Sequence, residues 1–306
     1  MQKFYPVRLN TLRKDDVLAF DVYVSVGEKF VQYIHAQDVF EGERLDKLKN
    51  KGVRKLFIPT EQEKNYLQYL EKALDQLSNT SHSIENRTQL AHDSLITAAE
   101  NAVVNFETEA GLRQQQDHLV KIANFVGSDR KVIKQIMENI NSSFDNNHHA
   151  ANVSSLCMSV AAKAGLTDKQ EVSELSIAAL VHDVGKERFK ENYDALGDKM
   201  SAQQKQAYRA HVSDGVTLLQ GKPFISPRIL GLVAAHEELG QGRGYPEKKD
   251  VFQLPLSYQI LIMCNRYDHF QTQQQLPTMK AIDAFFEKHS NDFPDELITV
   301  LASVLT

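Results

Sequence analysis

Ala178-Ala179-Leu180-Val181-His182-Asp183-Val184-Gly185-Lys186 is the stretch on which the reading of this chain turns. With Val172, Leu175 and Ala179 it carries an apolar face at helical spacing, and that face runs straight into two adjacent metal-ligating residues. Taken alone, His182-Asp183 followed by Gly185-Lys186 fits an ordinary helix C-terminus, with a glycine stop and a lysine favoured by the helix dipole. It equally fits a site in which Lys186, close to a metal, holds or orients a phosphate oxygen.

The rest of the chain decides between the two. Val153, Leu156, Cys157, Val160, Ala161 and Ala164 form one apolar stripe, and His149 lies on it four residues before Val153. Asp145 stands four residues earlier and shares the face if the helix extends that far. His211 is in line with Ala207, Gly215 and Leu218. His236 and Glu237 follow Ile229, Leu232 and Val233, and Asn265 shares a face with Tyr258, Leu261 and Ile262. A single inward histidine usually has a structural explanation. Five helices that each direct a histidine, carboxylate or amide inward are best explained by shared cations, because a buried ionisable group is costly alone. Mixed imidazole and carboxylate donors suit first-row divalent metals. The two cysteines, Cys157 and Cys264, offer no multi-thiolate set for a structural zinc.

With these residues in place, the chain resembles the HD-GYP family of the HD phosphohydrolase superfamily. The 178–186 run is similar to the superfamily signature. His236-Glu237-Glu238-Leu239-Gly240-Gln241-Gly242-Arg243-Gly244-Tyr245-Pro246 is similar to the second signature of the HD-GYP branch. Leu254-Pro255-Leu256 and Phe293-Pro294-Asp295-Glu296-Leu297 look like its later segments. The resemblance implies two divalent metals, iron ahead of manganese, with a third in some members. It implies a helical bundle around them and hydrolysis of cyclic di-GMP to linear di-GMP or GMP by a metal-bridging hydroxide. Carried over, His149, His182, Asp183, His211 and His236 are metal ligands, Asp183 bridges, and Asp145 takes the place of an acidic third-metal residue. Lys186 and Asp183 are the catalytic positions. Lys186, Arg243 and Tyr245 are the candidate substrate contacts.

This chain departs from the pattern at Glu237, where the family has a second histidine, and at Asn265, where it has a metal-binding aspartate. Both remain candidate ligands, though an amide oxygen brings no charge. The family's Arg-Pro-Tyr-Arg run is missing, and Gln271 to Leu276 occupy its region. Two further functions therefore stand beside the phosphodiesterase: a cyclic di-GMP binding module without turnover, and a phosphohydrolase of another phosphoester. Asp268 and His269, one turn past Asn265, are read either as contributors to the site or as capping residues.

Upstream, the pattern changes. Val17–Val26 and Lys29–Ala36 are rich in β-branched and aromatic residues around Gly27, which predicts a hairpin. A helix over Gly42–Lys51 and a strand over Val53–Ile58 follow. The polar stretch Ser78–Arg87 reads as a loop or a helix break. The expected fold is mainly α: a helical-bundle HD domain at 119–306, a helical linker and start of the bundle at 63–118, and a small α/β (α+β) accessory domain at 1–62, the site of any protein partner. The stripe of Tyr66, Leu67, Leu70, Leu74 and Leu77 suits either a homodimer contact or packing within its own chain.

The 306 residues carry a net charge of -5, which argues against a nucleic-acid polymer as partner. Ile260–Cys264 is far too short to span a bilayer. Free cysteines and an N-terminus without an apolar run lead to the expectation of a cytoplasmic protein.

Overall fold

The computed structural model describes residues 3–27, 29–102, 109–128, 130–138, 146–189, 193–194, 199–222, 225–276 and 278–306. The chain divides into two compact units, 1–101 and 102–306.

The first unit is built on a four-stranded antiparallel sheet of β1 (Phe4–Arg8), β2 (Val22–Val26), β3 (Lys29–Ile34) and β4 (Lys55–Pro59), in the order β1-β4-β2-β3. The hairpin turns at Gly27, whose φ of 61° suits a residue without a side chain. The long predicted strand from Val17 shortens to Val22–Val26, and Val17 makes only an isolated bridge with Val39. β1 was not expected from the sequence. Pro6 interrupts its pattern, and its strand character comes from pairing with β4.

Helix α1 (Gly42–Asn50) joins the strands, and α2 (Glu63–Leu74) and α3 (Ile84–Glu100) complete the unit. Ser83 caps α3 by accepting from Asn86 N. Both helices, which the sequence places in a linker, belong to this unit's core. The hydroxyl of Tyr66 lies 2.9 Å from Thr11 Oγ1, and its ring packs on Phe20, so the Tyr66–Leu77 stripe is buried within its own unit. Asn101 donates to Pro6 O, and Arg8 on β1 pairs with Glu100 at the end of α3.

The second unit is all helical among the described residues: α4 (Glu109–Ser128), α5 (Arg130–Glu138), α6 (Asn146–Lys163), α7 (Lys169–Val181), α8 (Ala202–Leu219), α9 (Pro227–Ala235), α10 (Leu256–Gln274), α11 (Thr278–His289) and α12 (Asp295–Leu305). Caps fix where the site helices begin. Asp168 accepts from Glu171 N at the start of α7, and Ser226, followed by Pro227, accepts from Ile229 N at the start of α9. Helices α6, α7 and α10 pack together, and α9 packs on α7 and α8. Their facing side chains are Val153, Leu156, Ile177, Leu232, Val233 and Leu261, all fully buried. No helix among the described residues is long and apolar enough to cross a membrane.

Candidate metal centre

Helix α7 ends at Val181, and residues Val184–Arg188 wind into a tight 3-10 turn. This turn lies directly against α8. A Cβ on Gly185 would stand 2.0 Å from His211 O and 2.7 Å from Gly215 N. Glycine at 185 is therefore what lets the two backbones touch and brings His211 over His182 and Asp183. The glycine read from sequence as a helix stop is a close-approach residue.

Five of the predicted ligands converge here, all buried. The carboxylate of Asp183 divides them. Oδ2 lies 3.3 Å from His182 Nε2 and 3.6 Å from His149 Nε2. Oδ1 lies 3.3 Å from His211 Nε2 and 3.5 Å from His236 Nε2. The result is two three-residue groups sharing Asp183, one with His149 and His182, the other with His211 and His236. Neither oxygen of Asp183 has a well-aligned hydrogen bond. Burial works against its charge, but Lys186 and His182 outweigh that and hold its pKa well below the usual carboxylate range.

The imidazoles are oriented from behind. Three donate from Nδ1 to a carbonyl three residues earlier: His182 to Ala179 O (2.8 Å), His211 to Tyr208 O (2.5 Å) and His236 to Val233 O (2.6 Å). His149 Nδ1 faces Asp268 Oδ2 at 2.6 Å. Each Nε2 is thereby left as an inward lone pair. Yet His149 and His182 meet Nε2 to Nε2 at 3.1 Å, and His211 and His236 at 2.9 Å. Imidazole acceptors that face one another across the buried Asp183 carboxylate need cations between them that the Lys186 ammonium alone does not supply, so the donor set fits divalent metals. Burial also pushes the His182 imidazole toward the neutral form that a ligand requires. At His149 burial is outweighed by Asp268, which raises its basicity and makes Nε2 the stronger donor.

The remaining expected residues fall as follows. Asn265 Oδ1 lies 2.9 Å from His149 Nε2, and its amide nitrogen is 3.4 Å from His236 O, so the oxygen faces the centre. Glu237 is buried beside the centre but outside both three-residue groups; its Oε2 pairs with Arg266 at 3.1 Å. Burial opposes the Glu237 charge, and Arg266 with the neighbouring histidines keeps it ionised. Asp145 lies outside the described residues. Arg243 is engaged away from the centre, with Gly240 O, Asn291 O and, at 2.7 Å, Asp292 Oδ1. It staples the loop carrying Gly244 and Tyr245. Gly244 has no room for a side chain, since a Cβ would stand 2.4 Å from Leu239 N.

Lys186 Nζ lies 2.6 Å from Asp183 Oδ2 and 3.0 Å from Asp194 Oδ2. Burial disfavours its charge, but the two carboxylates win and hold the ammonium protonated. Asp194 was not singled out in the sequence, because it stands in an irregular segment with no helical face to mark it. Asp268 is buried mid-helix and orients His149, which answers its two readings in favour of the site. Arg266, one residue past Asn265, was also missed, because a basic residue next to an inward position normally reads as solvated.

Beside the centre is a cavity of about 300 Å³, lined in part by Asp194, Tyr208, Tyr245, Arg266, His269 and Lys288. Burial pushes the pKa of both tyrosines up, so their phenols stay protonated and can donate.

Comparison with known proteins agrees with this geometry. The chain matches the HD domain family over residues 131–290. It is similar in structure to Bd1817, an HDG"Y"P protein from Bdellovibrio bacteriovorus, with a TM-score of 0.80 and 28% identity over 99% of each chain. No curated protein matches it. The chain belongs to the HD-GYP family of HD-domain proteins. With its buried histidine and aspartate groups, that membership defines a metal-dependent phosphohydrolase.

Proposed function

We propose that this phosphohydrolase is a phosphodiesterase of cyclic di-GMP, yielding linear di-GMP or GMP. The observation that carries the reading is the sharing of Asp183 between two histidine pairs, one carboxylate oxygen to each. His149, His182 and Asp183 would hold one divalent ion, and Asp183, His211 and His236 a second, with iron favoured over manganese for this donor set. Asn265 adds a neutral oxygen to the first group, and Asp145 is the candidate for a third ion. When bound, such a pair supplies an activated water and Lewis-acid stabilisation of the phosphoryl oxygens.

The chain's own residues supply the rest. Lys186, locked between Asp183 and Asp194, offsets negative charge developing on the phosphoryl group. Tyr245, on the Gly-Tyr-Pro loop, offers a hydroxyl to the substrate from the cavity wall. Arg243 holds that loop through Asp292.

Elemental analysis of anaerobically purified protein, beside H182A/D183A, tests the reading together with a cyclic di-GMP hydrolysis assay. About two metal ions per chain, lost with turnover in the variant, are expected. Native protein that holds metal and binds cyclic di-GMP without cleaving it overturns the catalytic reading. That outcome selects the binding module instead, which the uncharged Asn265 at a carboxylate position favours.

A further inference from the structure

Lys186 touches two carboxylates and engages them differently. Its Nζ donates to both oxygens of Asp194, at 3.1 and 3.0 Å. The contact with Asp183 Oδ2 is shorter, 2.6 Å, yet neither Asp183 oxygen takes part in an aligned hydrogen bond. All three groups are buried. Asp194 is in turn placed by α8: the Tyr208 hydroxyl donates to its Oδ1 at 2.8 Å, and the Tyr208 ring centre lies 5.0 Å from Nζ. A carboxylate and an aromatic face that belong to neither histidine pair therefore seat the ammonium. Asp183 Oδ2 is also the oxygen that faces His182 and His149. A divalent ion on that side and an ammonium at the same oxygen repel each other, and burial weakens the screening between them. The conflict is sharpened at this group because Asn265 brings it a neutral oxygen and no charge. A lysine that gave up Asp183 without a second anion would be a buried, unpaired charge.

We propose that Asp194 is the positioning residue of Lys186: it holds the ammonium off Asp183 Oδ2 and so leaves that oxygen to a cation bound by His149 and His182. Its effect on the centre passes through Lys186. Two properties follow. The His149–His182 group binds its ion more weakly than the His211–His236 group, since the ammonium stands at its oxygen and an amide completes it. The affinity of that weaker ion depends on Asp194 only while Lys186 is present. The inference goes beyond the proposed function and rests only on its placing of metal at Asp183; it is independent of the substrate.

The test is manganese titration of the chelator-stripped full chain, with free manganese read by electron paramagnetic resonance, for the native protein, D194N, D194E, K186M and K186M/D194N. The native chain should bind about two ions, of unequal affinity. D194N should weaken the weaker ion by about ten- to a hundredfold and the tighter one by less than about threefold. D194E keeps the charge and should lose no more than about threefold. K186M removes the competing cation and should hold the weaker ion at least as tightly as the native chain. Adding D194N to K186M should then cost less than about threefold. Unchanged affinities in D194N, with both ions still bound, defeat the proposal alone and leave the metal reading standing. Ions of equal affinity in the native chain, an equal loss from D194N with and without Lys186, or a loss as large in D194E as in D194N also overturns it. A native chain that takes up no manganese overturns both the proposal and the metal reading.

Discussion

Asp268 Oδ2 lies 2.6 Å from Nδ1 of His149, and its other oxygen accepts from Asn152 Nδ2 at 3.1 Å. The carboxylate fixes the imidazole's orientation and strengthens its inward nitrogen. D268N keeps the size and loses the charge. Metal affinity in a competition titration should fall by about ten- to a hundredfold, with the circular dichroism spectrum unchanged. Native affinity in D268N would reduce Asp268 to a packing residue.

Gly185 offers a steric test of how the centre is assembled. In G185A the added Cβ meets the carbonyl oxygen of His211 at 2.0 Å, and neither backbone can move away without displacing a ligand. Overpacking of this kind costs about 1–3 kcal/mol or more. The melting temperature and bound metal should fall together. G127A is the control: its Cβ would meet only the Ala162 Cβ at 3.4 Å, and helix propensity predicts a neutral or slightly stabilising effect. A G185A protein with native metal content would contradict this account of the turn.

These residues also show how much of the molecule the sequence made legible. Helical periodicity carried His149, His182, His211 and His236 to one interior, because a ligand on an apolar stripe has nowhere else to point. Asp194 and Arg266 were not legible. Asp194 sits in irregular backbone, and Arg266 is drawn inward by Glu237, a partner twenty-nine positions away that no local pattern encodes. The same applies to β1, whose identity comes from β4, fifty residues on. Local rules reach as far as one element's face, and long-range pairings lie beyond them.

Glu237 makes a sharper distinction. It occupies a position where the family has a histidine, yet its carboxylate pairs with Arg266 and lies outside both ligand groups. E237Q should therefore keep the native metal count, whereas H236Q should lose metal. R266A leaves a buried carboxylate without its cation, which costs about 3–5 kcal/mol in thermal or denaturant unfolding. E237Q/R266M removes both charges and should be less destabilised than R266A alone. Loss of metal in E237Q would return Glu237 to the ligand set.

In the first unit the comparable position is Glu100. Its side chain is 4% exposed and holds two cations, Arg8 at 2.6 Å and Lys55 at 2.7 Å. Lys55 is partly exposed and can turn to solvent. Arg8 is only 7% exposed and cannot, so E100A strands a guanidinium beside β1. Breaking a buried pair from one side costs about 3–5 kcal/mol, whereas trimming the exposed partner costs about 0–1 kcal/mol. E100A should thus unfold at markedly lower denaturant than the native chain, and K55A almost with it. Equal midpoints for the two variants would mean that the Arg8–Glu100 contact contributes no more than a surface pair.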